Sequence, residues 1–258
     1  VRGILDGAAG PAAAASDGVD GRNRVPVLSR SREVTAMSLS RRVLLRGAGA
    51  ATVTGALVAT GMDPAAAVTR PTLRVGSRNQ WVRKLQWRLY SHGYWLDRRY
   101  PGYFDTTTAQ AVMAFQKMRG LTRDGICGPA TWRALDSITR PVARTKSGSI
   151  IEVNKRRQVM IAVVNGRVAW VFNTSTGAPS TPTPVGRWRF QRAINGMDRS
   201  PLGTLWRPRY FYRGYAIHGS RSIPGYPASH GCARLHNKAI DFIWAHNLAP
   251  IGRQIWIY

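Results

Sequence analysis

A change of hydrophobic period near residue 149 constrains the fold more than any other feature of this sequence. Ahead of it, apolar residues recur at helical spacing. Val82, Leu85 and Leu89 line one face of a first helix, with Gly93 where a left-handed C-terminal cap belongs. Asp105 can cap a second, whose stripe is Thr108, Ala111, Val112, Phe115 and Met118 and which ends at Gly120. A third begins at Gly128-Pro129, since proline is tolerated in the first turn. Beyond the change, residues 149–154, 158–165 and 167–174 are rich in Val, Ile, Trp and Phe, and Asn165-Gly166 is a strong hairpin signal. Further strands are expected over 187–192, 204–212, 215–218 and 254–258, with one late helix capped by Asn237 and burying Ile240, Ile243 and Trp244. The chain therefore reads as a multidomain α + β protein: a small three-helix bundle over 71–135, a linker over 136–148 and a mostly-β domain over 149–258. A bundle of roughly 65 residues buries a marginal core, which suits an adapter better than a catalyst.

Residues 1–36 are rich in Ala, Gly and Arg without a period and read as a disordered or untranslated extension, with Met37 as the expected start. Residues 37–67 read as a twin-arginine export signal: Arg41-Arg42 in a basic start, an uncharged stretch over 47–62, and Ala65-Ala66-Ala67 as a cleavage site before Val68. That stretch is short for a membrane span and full of Gly, Ala and Thr, so an anchor is disfavoured. An extracytoplasmic protein, in the cell wall or secreted, is expected. The 38 Lys and Arg against 12 Asp and Glu ask for a polyanionic neighbour. Nucleic acid is not expected, because the arginines are spread along the chain and accompany no nucleic-acid-binding signature. An anionic cell wall fits. The two cysteines, Cys127 and Cys232, cannot make a disulfide scaffold, and a bridge between them would join the two domains.

The segment that carries chemistry is Ile217-His218-Gly219-Ser220 followed by Ser229-His230-Gly231-Cys232-Ala233-Arg234-Leu235. A thiol must be deprotonated to attack an acyl carbon, and a nearby imidazole can take the proton, giving a thiolate and imidazolium pair with a depressed thiol pKa. Two histidines are candidates. On an extended backbone His230 shares a face with Cys232, whereas His218 must be delivered by the fold, and spacing alone does not choose. From Lys146 onward the only carboxylates are Glu152, Asp198 and Asp241; if none reaches the imidazole, a backbone carbonyl must orient it. Gly231 would let a substrate carbonyl approach the backbone, and the amides of Gly231 and Cys232 could donate to an oxyanion. A zinc set of His218, His230, Cys232 and His236 fits no familiar spacing and brings no carboxylate base.

Two resemblances follow from these strings. Leu73-Arg74-Val75-Gly76-Ser77, Val82-x-x-Leu85-Gln86-x-x-Leu89, Gly102-Tyr103-Phe104, Ala111-Val112-x-x-Phe115-Gln116 and Asp124-Gly125-x-Cys127-Gly128-Pro129-x-Thr131-Trp132 resemble the peptidoglycan-binding domain 1 family. Cys127 stands where that family often has an aliphatic residue, so it is expected to be a small core hydrophobe. Asp124 and Gly125 are expected to shape a turn. The Ser-His-Gly-Cys string, with Thr174-Ser175-Thr176-Gly177 and Thr183-Pro184-x-Gly186 upstream, resembles the active-site signature of YkuD-type L,D-transpeptidases.

The second resemblance implies Cys232 as nucleophile, His218 as base and later acid, and Gly219 as the orienting carbonyl. Ser229, His230 and Gly231 would form the loop around the thiol. Arg234 would hold backbone carbonyls or a substrate carboxylate, or simply anchor the loop. The implied reaction is attack on a tetrapeptide stem donor, loss of the terminal D-Ala, and transfer of the thioester to the third-residue amine of a neighbouring stem, a 3-to-3 cross-link. No metal or cofactor is implied, and carbapenem-type β-lactams are implied as inhibitors. An L,D-carboxypeptidase using the same site and a non-catalytic wall-binding protein are the alternatives. The helical domain would raise local substrate concentration by tethering.

Overall fold

The computed structural model describes residues 69–97, 100–200 and 203–258; the expected extension and export signal lie outside them. Three helices come first, α1 (Gln80–Ser91), α2 (Thr106–Arg119) and α3 (Pro129–Asp136). Their ends follow local chemistry. The Asn79 side chain accepts from Val82 N–H, Asp105 from Thr108 N–H, and Gly120 closes α2 with φ 70°. Ten strands follow: β1 (Ile150–Asn154), β2 (Val159–Val164), β3 (Arg167–Asn173), β4 (Gly186–Arg189), β5 (Arg192–Ala193), β6 (Met197–Ser200), β7 (Gly203–Tyr212), β8 (Tyr215–Ser220), β9 (Ala233–His236) and β10 (Gln254–Ile257). A fourth helix, α4 (Asn237–Ala245), directly continues β9. The expected α + β architecture is present. The β2–β3 turn uses Asn165 and Gly166 at φ 51° and 71°, both left-handed as a two-residue hairpin requires.

Two sheets form, one in the order β3-β2-β1-β10-β4 and the other β5-β7-β8-β9, with β6 pairing to β7. Neighbours are antiparallel except β1 with β10 and β8 with β9. Strand β2 reads as an unbroken apolar run, and β1 is buried at four of its five residues, because both of their faces are covered. Alternate residues belong to different cores. Ile151, Val153, Met160, Ala162 and Phe172 pack with Phe211, Ile217, Leu235, Ile240 and Ile243 of the second sheet and α4. Ile150, Val159, Ile161, Val163, Val168 and Val171 pack in one cluster with Leu85, Leu89, Val112 and Phe115 of the helices.

The helices therefore do not pack as a separate bundle; they complete their core against the first sheet. Hydrogen bonds reinforce the junction. Residues 93–95 lie along the β3 edge, where Trp95 N–H donates to Val171 O at 3.0 Å and Val171 N–H to Gly93 O at 2.7 Å. Arg140, from the expected linker, donates to Val168 O and to Ser91 O, and Arg157 donates to Met118 O. Lys238 pairs with Asp97 at 2.8 Å.

Two expectations need correction in detail. Asn237 is the first residue of α4 and not its cap; the cap is His236, whose side chain accepts from Lys238 N–H. Strands β6 and β9 are not among the expected strands, because Met-Asp-Arg-Ser and Ala-Arg-Leu-His carry no apolar run. Cys127 is fully buried in the helical core as a free thiol, raised by burial, and Cys232 is also free. Among the described residues no helix is long and apolar enough to cross a membrane.

Candidate active site

Cys232 stands one residue before β9, whose parallel register with β8 places Ile217 beside Ala233 and His218 beside Arg234. Paired residues share a face, and faces alternate along each strand. Ile217 and Ala233 thus point into the core, both fully buried. The opposite face carries Cys232, Arg234 and His218. A strand spacing of about 4.8 Å and a two-residue offset set the Cys232 and His218 Cα atoms about 8 Å apart, within side-chain reach.

His218 is 4% exposed, and its Nδ1 lies 2.9 Å from Gly219 O. A carbonyl can only accept, so Nδ1 carries the proton and Nε2 keeps its lone pair. None of the three downstream carboxylates takes this role. Glu152 accepts from Arg144 N–H, Thr145 N–H and the Tyr258 hydroxyl, Asp241 from Trp206 and Arg207, and Asp198 from Tyr210. Gly219 is glycine for a packing reason: a Cβ there would lie 2.7–2.8 Å from Asn237 Oδ1, Ile240 Cγ2 and Trp206 Cδ1. Packing thus fixes the carbonyl that fixes the imidazole.

The thiol differs from the charged pair expected of it. Burial pushes Cys232 above its ordinary value, opposed by the Ala216 N–H donating to Sγ at 3.4 Å and by the Arg234 charge. Burial pulls His218 down to about 4, against the Gly219 hydrogen bond and with the Arg234 charge. Both groups rest neutral near pH 7. A thiol in that state would have to give up its proton during an attack and not before it.

The loop before the thiol is not extended, which removes the premise that placed His230 on the Cys232 face. Gly231 has φ 114°, and the His230 side chain is exposed. A Cβ at Gly231 would lie 2.5 Å from the Tyr215 ring. Ser229, 2% exposed, ties the loop by donating to Cys232 O at 2.5 Å and accepting Gly231 N–H at 3.1 Å. The Gly231 amide is thereby engaged. Among the described residues the Cys232 N–H has no hydrogen-bond partner, so it is the amide of that pair left to meet an oxyanion.

A cradle supports this loop from below. Ser175 and Arg234 exchange backbone bonds at 3.2 and 2.9 Å, Thr174 Oγ1 donates to Arg234 O, and Thr176 O accepts from Ala228 and Ser229 N–H. The Thr183 hydroxyl donates to Gly231 O at 2.6 Å. The Arg234 guanidinium itself makes no hydrogen bond or ion pair to the described residues, so the backbone of Arg234 anchors the loop while its charge stays available. Sequence reasoning missed Tyr215 and Gln158. The latter's buried side chain bonds Thr176 through both N–H and carbonyl, but one glutamine in an apolar run carries no chemical signature. Among the described residues no three His, Cys, Asp or Glu are grouped to hold a metal.

Comparison with known proteins decides the family. Residues 148–257 match the YkuD family, the L,D-transpeptidase catalytic domain, and residues 78–135 match the family described as "Putative peptidoglycan binding domain". The crystal structure of an L,D-transpeptidase (residues 123–326) from Xylanimonas cellulosilytica is 40% identical, with TM-score 0.70, over 74% of this chain and 98% of that one. The chain belongs to the YkuD L,D-transpeptidase family. Its relatives also include "Putative L,D-transpeptidase YqjB" of Bacillus subtilis, 26% identical over 41% of this chain and 68% of that protein. The N-acetylmuramoyl-L-alanine amidase CwlL of Bacillus licheniformis is 41% identical over 27% of this chain. Only 20% of that amidase is spanned, and 58% of an uncharacterised Kitasatospora aureofaciens protein that is 38% identical over 68 residues.

Proposed function

We propose that the protein is an exported enzyme that cross-links peptidoglycan stems 3-to-3 through a thioester on Cys232. The observation that carries the reading is the shared face of Cys232 and His218, with Nε2 left free by the Nδ1–H to Gly219 bond. Cys232 Sγ attacks the carbonyl before the terminal D-Ala of the donor stem as its proton passes to His218 Nε2. The Cys232 N–H meets the oxyanion, collapse expels D-Ala with the proton from Nε2, and the thioester remains. An amine of a neighbouring stem then attacks, gives its proton to Nε2, and displaces the thiolate, which recovers that proton. Arg234 suits a stem carboxylate, its guanidinium being otherwise unengaged.

Action on peptidoglycan requires an extracytoplasmic protein, in keeping with the twin-arginine signature. Mass spectrometry of muropeptides incubated with the purified protein tests the reading. Cross-linked dimers with release of D-Ala are expected. Tripeptide without dimer would make it an L,D-carboxypeptidase, and unchanged muropeptides would leave only wall binding.

A further inference from the structure

Lys117, in the last turn of α2, is 1% exposed. Its Nζ donates to Gln158 O at 3.1 Å, Asn173 Oδ1 at 2.5 Å and Thr174 O at 2.8 Å. No carboxylate pairs with it among the described residues. Burying an ammonium is costly, and a methionine of similar length would fill the same space without that cost, so the charge needs a reason beyond packing. Its acceptors supply one. Three oxygens converge from the turn before β2 and from the end of β3, and dipoles aimed at one point repel unless a donor joins them.

Both backbone acceptors belong to residues whose side chains build the cradle under the nucleophile. Gln158 bonds Thr176 N–H through Oε1 at 2.8 Å and the Thr176 hydroxyl through Nε2 at 2.6 Å. Thr174 Oγ1 reaches Arg234 O at 2.8 Å, two residues past Cys232. One residue thus separates the lysine from the strand that follows the thiol.

We infer that Lys117 is a positioning residue for Cys232, supplied by the helical module and acting through Gln158 and Thr174 on the 174–176 cradle. The inference rests on Cys232 being the nucleophile, but its test needs no peptidoglycan. In the full chain, Lys117→Met removes the donor and keeps the volume. Val112→Ala, in the apolar core of the same helix, is the control for stability alone. Three quantities are measured: hydrogen exchange at the Ser229 and Arg234 amides, the pH–rate profile of Cys232 alkylation by iodoacetamide, and the melting temperature.

Lys117→Met is expected to lose about tenfold or more of the protection at those amides, the scale of one charge-assisted hydrogen bond, and to move the alkylation profile. Val112→Ala is expected to lower the melting temperature and leave both unchanged. If Lys117→Met lowers only the melting temperature, the lysine is merely structural and the inference fails. Should that variant not fold, Thr174→Val severs the next link: an unchanged exchange and alkylation profile there overturns the inference equally. Normal alkylation without any cross-linked product would instead sink the transpeptidase reading and leave this one standing.

Discussion

Expressing residues 149–258 without the helices tests how the two family modules are joined. Six aliphatic side chains of β1–β3, Ile150, Val159, Ile161, Val163, Val168 and Val171, are buried in the cluster that the helices complete. At about 1.5–3 kcal/mol for each aliphatic side chain left exposed, the loss is about 9–18 kcal/mol, an upper bound since some would partly re-cover. A whole domain is stable by only about 5–15 kcal/mol. The fragment is therefore expected not to hold its native fold, although the sequence alone reads as two domains joined by a linker. Far- and near-ultraviolet circular dichroism, calorimetry and Cys232 alkylation of 149–258 against 69–258 provide the assay. Expected for the fragment are no cooperative melting and an alkylation rate like that of an unstructured thiol. A monomeric fragment that melts cooperatively and alkylates Cys232 at the rate of the longer chain would refute the shared core as an energetic necessity.

Cys232→Ser is expected to abolish thioester formation, while Cys127→Ser, a small polar change in the helical core, should cost about 1–3 kcal/mol of stability and leave acylation of the folded protein intact; intact-mass detection of a carbapenem adduct reads both. His218→Gln should slow acylation by about 10²–10⁴-fold, the range of losing a general base, and His230→Gln by far less, which adduct kinetics against pH will check. Acid should unmask His218. Between its ordinary 6.5 and about 4 the unfolded chain binds a proton that the folded chain refuses, so stability is lost as the pH is lowered through that window, by about 3 kcal/mol, and urea melts of His218→Gln should lack this part of the loss. Lys117 should act at the other end, because burial, aided by the nearby Arg123 charge, lowers it from 10.5 to about 7. The unfolded chain holds the extra proton between those values, stability rises with pH by at most about 1.4 kcal/mol per unit, and Lys117→Met should flatten that rise.

What could be read from the sequence was whatever short-range chemistry determines. Asp105, Gly120 and Asn165-Gly166 act within a few residues of themselves, and each does what its type and spacing indicate. The late helix was visible but its cap was not: His236 and Asn237 can both cap, and the choice falls on His236 because Asn237 Oδ1 is buried against Gly219. The thiol and both histidines were visible as a string, yet the positive φ of Gly231 and the β8–β9 register, which separate His218 from His230, are properties of the folded loop. The continuous run from Val159 to Val164 carried the signature of a strand covered on both faces, but a sequence does not say by what. Nothing in the sequence marks Lys117, since its three acceptors lie 41 to 57 residues away along the chain.

The segment over 93–95 has a consequence for solubility. Strand β3 is the outermost strand of its sheet, and an uncovered outer strand offers its N–H and C=O groups to any other chain that presents the same. Gly93 O and Trp95 N–H occupy Val171 there. At the far border no segment of the described residues besides β10 pairs with β4; its Arg187 and Arg189 are exposed, Arg187 over the Trp256 ring and Arg189 donating to Gly252 O, and their like charges keep two such borders apart. Where copies of the chain are crowded together, this sheet meets its neighbours with one border already paired and the other charged.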